Sequence, residues 1–331
     1  MNNENEKFIK LAVKELARKV ICDGHLYLSA GQRKFYLMKP GVFVDPDFIK
    51  KHAVNNQVFD FTSVVNPEVK EKFKLLFREL RYLQFEKDLR EKSFEILKYF
   101  FEVYSEPEHL LSFASACHEE FCKLPFEDQQ RMHETDMHLY RKALYASAFS
   151  IITGMTNDFY HFLMLRDFYN LTFSLDIGLC EDSYSYFVAQ SCNEENKNPG
   201  HGRELLTNEK ASDSEVEVFL NHPRRSYEFI KSLDLLAYPE LAEITLYQHE
   251  LSDGSGFPRG VMKGQISSWE AIVIFSDSLV EILPEYDFEN NVVSYLMGFN
   301  NKKLNDLPVG KVFKKLCLAF EHFKMLKETG S

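Results

Sequence analysis

Several features that would assign a protein to a class at once are missing from this chain of 331 residues. Its six cysteines include no C-x-x-C pair, which argues against a zinc finger and against a disulfide framework. No apolar run is long enough to cross a bilayer, and the N-terminal MNNENEKFIKLAVKELARKV has no signal-peptide core. The net charge of −11 argues against a broad nucleic-acid-binding face. These absences predict a cytoplasmic protein with reduced thiols that binds neither nucleic acid nor membrane.

Apolar residues recur at helical spacing through most of the chain, which predicts a mostly α-helical protein with a small strand-containing unit at its N-terminus. Residues 7–20 are expected to form a helix, HLYLS and KFYLM alternate around the turn AGQR as in a β-hairpin, and VFDFTSVV is typical of a strand. Residues 67–104 form one long amphipathic stretch, interpreted as a connecting helix or a dimer contact. Later helical patterns cover 105–124, 134–152, 158–175, 214–235, 239–251, 266–283 and 309–327.

The chain is long enough to form more than one domain. We expect an α+β unit of regulatory type over residues 1–66, a helical connector over 67–130 and a helical domain over 131–331. Residues 192–215, which read CNEENKNPGHGRELLTNEKASDSE, are polar and poorly patterned, so we expect a surface insertion there.

Residues able to bind a metal ion are spread through the helical part. Most of them also have a plain structural role open to them: His138 as a helix-surface histidine, Asp176 as the cap of the bend D-I-G, and His222 as a residue near the start of a helix because Pro223 follows it. Asp277 fits such a role least, because a lone carboxylate in an apolar helix is costly to bury unless it is paired. The candidates are Glu134, His138, Asp176, His222, His249, Glu250 and Asp277.

The stretch HELSDGSGFPRG, residues 249–260, places a histidine and an acid directly ahead of a turn that contains three glycines and a proline. Glycine permits positive φ, proline fixes its own φ, and an aspartate can cap a turn through its side chain. Taken alone, the stretch is either a tight loop between two helices or the end of a metal site.

The order of these motifs decides between the two possibilities. An upstream histidine is followed by D-I-G, then H-P, then H-E-x-x-D-G-S-G-F-P-x-G, and then an aspartate near the end of an apolar helix. This order, over roughly residues 131–300, resembles the HD-GYP family. HD-GYP proteins are bacterial phosphodiesterases of the HD superfamily that hydrolyse cyclic di-GMP at a centre of two or three metal ions. The resemblance implies a helical HD-superfamily bundle and iron or manganese as the metal.

The resemblance also implies a set of metal ligands. Asp176 matches the aspartate that bridges two metal ions, and Glu134 matches the extra carboxylate of three-metal members. In an active site of this kind, Asp176 and Asp277 would be the catalytic carboxylates. The implied ligands are His138, Asp176, His222, His249 and Asp277, with Glu134 as an addition.

The chain departs from the family pattern at four of the matched positions. The histidine of the H-D pair is Leu175, and the first histidine of H-H-E is Gln248. The lysine that contacts a substrate phosphate is Leu179, and the tyrosine of G-Y-P is Phe257. The segment SLVEILPEYDF after Asp277 also lacks the arginine that the family usually has there. The loss of both cations is expected to weaken binding of cyclic di-GMP, whose two phosphates usually need Lys or Arg partners.

Three functional hypotheses follow. The leading one is a degenerate, non-catalytic HD-GYP protein that acts as a regulatory or interaction module, with a homodimer contact through residues 67–104. Its rival is a metal-dependent phosphodiesterase with a reduced site of Asp176, His222 and His249. The third is a plain helical bundle in which these residues are vestigial. In the first hypothesis the loop contacts a diguanylate cyclase (GGDEF) domain, as the family implies, through Asp253, Gly254, Gly256, Phe257, Pro258 and Gly260.

Overall fold

The computed structural model describes residues 8–31, 33–104, 107–181, 213–251, 253–262, 265–282 and 310–329. The described chain is mostly α-helical, with one four-stranded antiparallel sheet near the N-terminus, so the predicted fold class is confirmed. No helix among these residues combines the length and apolar character needed to cross a membrane. The expected insertion at 192–215 falls almost wholly outside the described residues.

The N-terminal unit is a sheet with two short helices. The predicted hairpin is confirmed, because β2 pairs antiparallel with β3 from Ala30 opposite Arg33 to Leu26 opposite Met38. The strand predicted in VFDFTSVV is also confirmed and lies between two neighbours in the order β1-β4-β2-β3. The elements are β1 (Ile9–Ala12), α1 (Val13–Leu16), β2 (Gly24–Ala30), β3 (Arg33–Met38), α2 (Pro46–Ala53) and β4 (Val58–Ser63).

The helix predicted over residues 7–20 was wrong for its first part. Ile9–Ala12 is an edge strand paired with β4, and only Val13–Leu16 is helical. The backbone hydrogen bonds of β4 and the burial of Leu11 outweigh the helical spacing of the apolar residues, as tertiary contacts often do at a sheet edge.

The stretch predicted as one long helix over 67–104 forms two helices, α3 (Pro67–Tyr82) and α4 (Glu86–Val103). The break falls at Leu83, whose backbone is extended. The apolar faces of both helices are buried within the same chain. They pack against α5 (Pro107–Phe121), α7 (Met137–Thr156) and the helix Gly310–Thr329. The apolar pattern is therefore explained within one chain, and self-association through this stretch stays a prediction.

The remaining helices surround one central helix, α7, which is apolar on nearly all sides. It packs against α4, α5, α6 and α8, and against the helices Ser268–Ile282 and Gly310–Thr329. The buried apolar side chains around it form one cluster, whose members are spread along the chain from Ile21 to Phe323. These helices are α5 (Pro107–Phe121), α6 (Phe126–Thr135), α7 (Met137–Thr156), α8 (Phe162–Phe173), α9 (Asp213–Ser232), α10 (Ser268–Ile282) and α11 (Gly310–Thr329), with 3₁₀ helices at Ile177–Glu181 and Pro239–Tyr247.

One histidine of the core is buried beside a tyrosine hydroxyl. His118 on α5 is 4% exposed, and its Nδ1 lies 3.0 Å from the hydroxyl of Tyr169. Burial, with a smaller contribution from the charge of Lys70, lowers the pKa of His118 to about 4. The folded protein therefore holds this imidazole neutral at pH values where an unfolded histidine is already charged.

We expect stability to fall through His118 as the pH drops below about 6.5, with the loss complete near pH 4. The unfolded chain takes up a proton that the folded chain refuses, which is a loss of about 3 kcal/mol. Urea unfolding of wild type and His118→Gln at several pH values measures this contribution. The stability advantage of wild type should shrink on acidification, with His322→Gln, an exposed histidine, as the control. An advantage that is constant from pH 7 to 4 would contradict the assignment.

Candidate metal centre

The segment that carries Asp176 is fixed by a close backbone approach to α9. A Cβ atom on Gly178 would lie 2.4 Å from the carbonyl oxygen of His222, so only glycine allows the two segments to pack this closely. Ser226 locks the contact: its hydroxyl donates to the carbonyl of Leu175 at 2.6 Å and accepts from the Gly178 amide at 2.9 Å. The glycine of D-I-G therefore brings Asp176 beside His222.

The pair His222-Pro223 lies inside α9, not near its start. Proline has no N–H, so the carbonyl of Phe219, four residues earlier, loses its usual helical donor. The imidazole Nδ1 of His222 takes that place and donates to Phe219 O. Because a carbonyl can only accept, Nδ1 carries the proton and Nε2 the lone pair in the neutral imidazole of His222. The H-P motif thus sets the tautomer of a buried histidine and directs its free lone pair away from the helix.

Three potential ligands converge on one point. One ligand atom from each of Asp176, His222 and His249 lies within 4.8 Å of the others. The two histidine Nε2 atoms are 3.0 Å apart, and His222 Nε2 lies 3.5 Å from Asp176 Oδ1. His222 and His249 are 0% and 5% exposed. Two neighbouring ligands on a metal ion with bonds of about 2.1 Å at right angles are also about 3 Å apart.

Gln248 is the fourth polar group at this point. Its Nε2 lies 3.1 Å from His249 Nε2 and 3.5 Å from Asp176 Oδ1, and it also contacts His222 Nε2. Its Oε1 is buried without a hydrogen-bond partner among the described residues. A half-turn of the amide would exchange the two atoms and bring an oxygen to the converging lone pairs. Two imidazoles, a carboxylate and an amide oxygen are a donor set that fits one divalent ion.

A lysine lies on the other side of Asp176. The ammonium of Lys142, on α7, is 2.9 Å from Asp176 Oδ2 and 3.1 Å from Asp277 Oδ1. Only 12% of the Asp176 side chain and 6% of the Asp277 side chain are exposed. Burial alone would raise the pKa of Asp176, but the Lys142 ammonium holds that pKa below its usual range. Asp176 therefore faces a cation with one oxygen and the histidines with the other.

The loop that follows His249 is fastened to the same site. The carboxylate of Glu250, which is fully buried, accepts the backbone amides of Arg259 and Val261, both at 2.8 Å. A Cβ atom on Gly256 would lie 2.5 Å from the carbonyl oxygen of His249, so the loop backbone passes directly over the histidine. The ring of Phe257 stacks on the His249 imidazole at 4.6 Å. The loop thus holds His249 in place.

The leucines at two family positions belong to the core. Leu175 is 1% exposed and lies in the main core, while Leu179 packs with Val218, Phe219 and Phe257 in a small apolar cluster next to the histidines. Neither residue offers a donor, and each fills its volume with hydrocarbon. Phe257 also belongs to this cluster. Its ring packs against apolar side chains at the position where the family has a tyrosine.

The structure brings together most, but not all, of the residues that the sequence pointed to. Asp176, His222, His249 and Asp277 are near one another through direct contacts or through Lys142. Glu134 is exposed on α6 and accepts a hydrogen bond from Gln130, outside that group. His138 lies on α7, but its side chain is outside the described residues.

Lys142 and Glu250 have roles that the sequence pattern did not predict. Glu250 was expected only as a possible metal ligand, whereas it holds the loop. Lys142 was not among the candidates, although its position four residues after His138 places both residues on one face of a helix. That spacing was the signal that could have found it.

Comparison with known proteins gives one structural likeness. No protein-family model and no curated protein matches the chain. Among solved structures, the chain is similar to "Bd1817, a HDG"Y"P protein from Bdellovibrio bacteriovorus", with 10% sequence identity and a TM-score of 0.35 over 94% of this chain and 98% of that one. Similarity this low transfers no residue's role, so the role of each residue rests on this chain's own contacts.

We expect Glu250→Gln to lower the free energy of unfolding by about 2–3 kcal/mol. The glutamine keeps one acceptor but turns an N–H₂ group toward one of the two loop amides, which leaves a buried donor unsatisfied. Chemical denaturation measures the loss. Glu243→Gln, an exposed glutamate on the preceding 3₁₀ helix, is the matched control and should change stability by less than about 0.5 kcal/mol. Equal effects of the two variants would show that Glu250 does not hold the loop.

Proposed function

We propose that this chain is a divergent HD-GYP-type protein that binds at most one divalent metal ion and acts as a regulatory interaction module in cyclic di-GMP signalling, without phosphodiesterase activity. The observation that carries the proposal is the ammonium of Lys142 between Asp176 and Asp277. In the family that the motifs resemble, those two carboxylates are ligands of the same ion. A lysine therefore stands where one ion of a two-metal centre would bind.

A lysine ammonium neutralises carboxylates but does not replace the chemistry of a metal ion. Two metal ions polarise a phosphoryl oxygen and generate a hydroxide nucleophile at neutral pH. An ammonium offers three N–H donors and one positive charge, and it coordinates no water as a Lewis acid does. The lost histidine at Leu175 and the lost phosphate contact at Leu179 support the same conclusion. The site keeps a positive charge beside both carboxylates but lacks a metal pair that could activate a nucleophile against a phosphodiester.

The position between His222, His249 and Asp176 is suited to a single ion. His222 Nε2, His249 Nε2 and Asp176 Oδ1 would hold it, with the amide oxygen of Gln248 as a further ligand. Iron or manganese fits two imidazoles and a carboxylate. When bound, such an ion would supply positive charge and would link the segment that carries His249 to α9. This structural role is enough to explain why the ligands are present without any catalytic role.

The regulatory part of the proposal concerns the loop at residues 253–260. Glu250 and the stacking of Phe257 on His249 hold the loop in place. Three of its other residues are exposed: Asp253, Ser255 and Pro258. A fixed loop with polar residues outward is suited to recognise a partner without reordering. By resemblance to the family, we propose a GGDEF-type protein as that partner.

A second function is favoured by the convergence of Asp176, His222 and His249. Three ligands can support a single-metal phosphodiesterase acting on cyclic di-GMP or a related phosphodiester, with one ion polarising the phosphoryl oxygen. This function requires the Lys142 ammonium to contact substrate phosphate in place of the second ion. It differs from the first proposal in requiring turnover.

Metal stoichiometry tests the proposal. Wild-type protein purified anaerobically without a histidine tag, then dialysed against Mn²⁺, is expected to hold one ion per chain by elemental analysis. Lys142→Met frees the two carboxylates and should raise the value toward two. Lys74→Met is the matched control, because Lys74 also bridges two carboxylates, Glu71 at 3.0 Å and Glu119 at 2.7 Å, away from the site. Its stoichiometry should equal that of wild type.

Two results would contradict the proposal. Two ions per wild-type chain would mean that Lys142 gives way to metal. Hydrolysis of cyclic di-GMP by wild type with Mn²⁺ or Fe²⁺, at protein concentrations comparable to substrate, would favour the phosphodiesterase. If Lys142→Met is too unstable to dialyse, the rise in its melting temperature on adding Mn²⁺ replaces stoichiometry, and it should exceed the rise for Lys74→Met.

A further inference from the structure

A surface cavity of about 410 Å³ lies between α3, α5, the start of α8 and the chain around Tyr238. It shares no residue with the metal centre. Three of its lining residues are basic (Arg81, Lys123 and Arg166) and one is acidic (Glu120). In a protein whose net charge is −11, a cavity with this excess of positive charge is unexpected on composition alone.

The single carboxylate does not cancel that excess. Glu120 accepts Arg78 Nε at 2.8 Å with one oxygen and faces Arg81 Nη2 at 3.2 Å with the other. It is therefore divided between two arginines, one of which is not among the residues that line the cavity. No ion pair of Lys123 occurs among the described residues closer than 4 Å, so its charge is available to a ligand.

The guanidinium of Arg166 has fewer polar partners than it can bind. Its Nε is buried without a hydrogen-bond partner among the described residues, and the nearest carboxylate oxygen, on Asp167, is 3.8 Å away. The Asp167 carboxylate is already engaged, because it accepts the backbone amides of Ala237 at 3.0 Å and Tyr238 at 2.8 Å. The Nε–H itself is enclosed by protein, but 19% of the Arg166 side chain is exposed and Arg166 lines the cavity, so its positive charge can act on an anion there.

The lining is held rigid by hydrogen bonds and stacking. Asn170 accepts the Lys123 backbone amide at 2.7 Å and donates to the carbonyl of Phe121 at 2.9 Å, which ties the end of α5 to α8. The guanidinium of Arg81 lies 4.6 Å from the centre of the Phe162 ring. Helix α8 begins at Phe162 without a side-chain cap, so its first-turn amides add positive potential at the cavity. The backbone around Lys123 and the guanidinium of Arg81 are thus held in place before any ligand arrives.

We infer that this cavity binds a small phosphate monoester of about mononucleotide size. Arg81, Lys123 and Arg166 would meet the phosphate, since arginine and lysine are the side chains that recognise it. Leu83, Phe162 and Tyr238 give the cavity apolar walls, which suit a ring-bearing body better than a bare ion. The volume lies in the range of small-molecule sites.

Isothermal titration with AMP as the probe, on the full chain, tests the inference. Wild type is expected to bind AMP and not adenosine, because the phosphate carries the recognition. Lys123→Glu, an exposed position where folding is not at risk, should weaken AMP binding by at least about tenfold. Arg166→Gln is expected to act in the same direction. Arg224→Gln is the matched control: it removes an exposed arginine outside the cavity and should leave affinity unchanged.

Three outcomes would overturn the inference. One is the absence of AMP binding at millimolar concentration. Another is equal binding of adenosine, which would show that the phosphate is not recognised. The third is a loss in Arg224→Gln as large as that in Arg166→Gln, which changes the net charge by the same amount and would reduce the effect to overall charge.

Discussion

Two carboxylates inside a helical core are the constraint on which the rest of the site depends. Asp176 and Asp277 are almost fully buried, and removing the partner of a buried charge typically costs about 3–5 kcal/mol. Some cation must lie between them. In this chain the cation is covalently attached: Lys142 extends from α7, the helix that packs against most of the others. A positive charge beside both carboxylates is thereby present whether or not a metal ion is bound.

The other half of the site is built by backbone devices. The proline after His222 frees a carbonyl that orients the imidazole, and Gly178 lets the segment bearing Asp176 approach α9. Glu250 closes the following loop over His249. Together these devices bring ligand atoms of Asp176, His222 and His249 within 4.8 Å of one another. These features account for motifs whose residues make no contact with a metal themselves.

Part of this arrangement could be predicted from the sequence. The resemblance carried by D-I-G, H-P and H-E-x-x-D-G-S-G-F-P-x-G implied that Asp176, His222 and His249 belong to one site, and the structure places their ligand atoms within 4.8 Å of one another. The β-hairpin and most helices followed from apolar periodicity. The edge strand at Ile9–Ala12 and the break at Leu83 did not, because both depend on partners distant in sequence. The role of Lys142 was missed for a similar reason: its two acids lie 34 and 135 positions further along the chain.

The central claim is that Lys142 occupies one of two cation positions. Anomalous diffraction from crystals of the wild-type protein grown with Mn²⁺ tests it most directly, because it locates each ion relative to named atoms. The account predicts one anomalous peak, beside the Nε2 atoms of His222 and His249, with the Lys142 ammonium still between the two carboxylates. A second peak between Asp176 and Asp277, with Lys142 displaced, would contradict it.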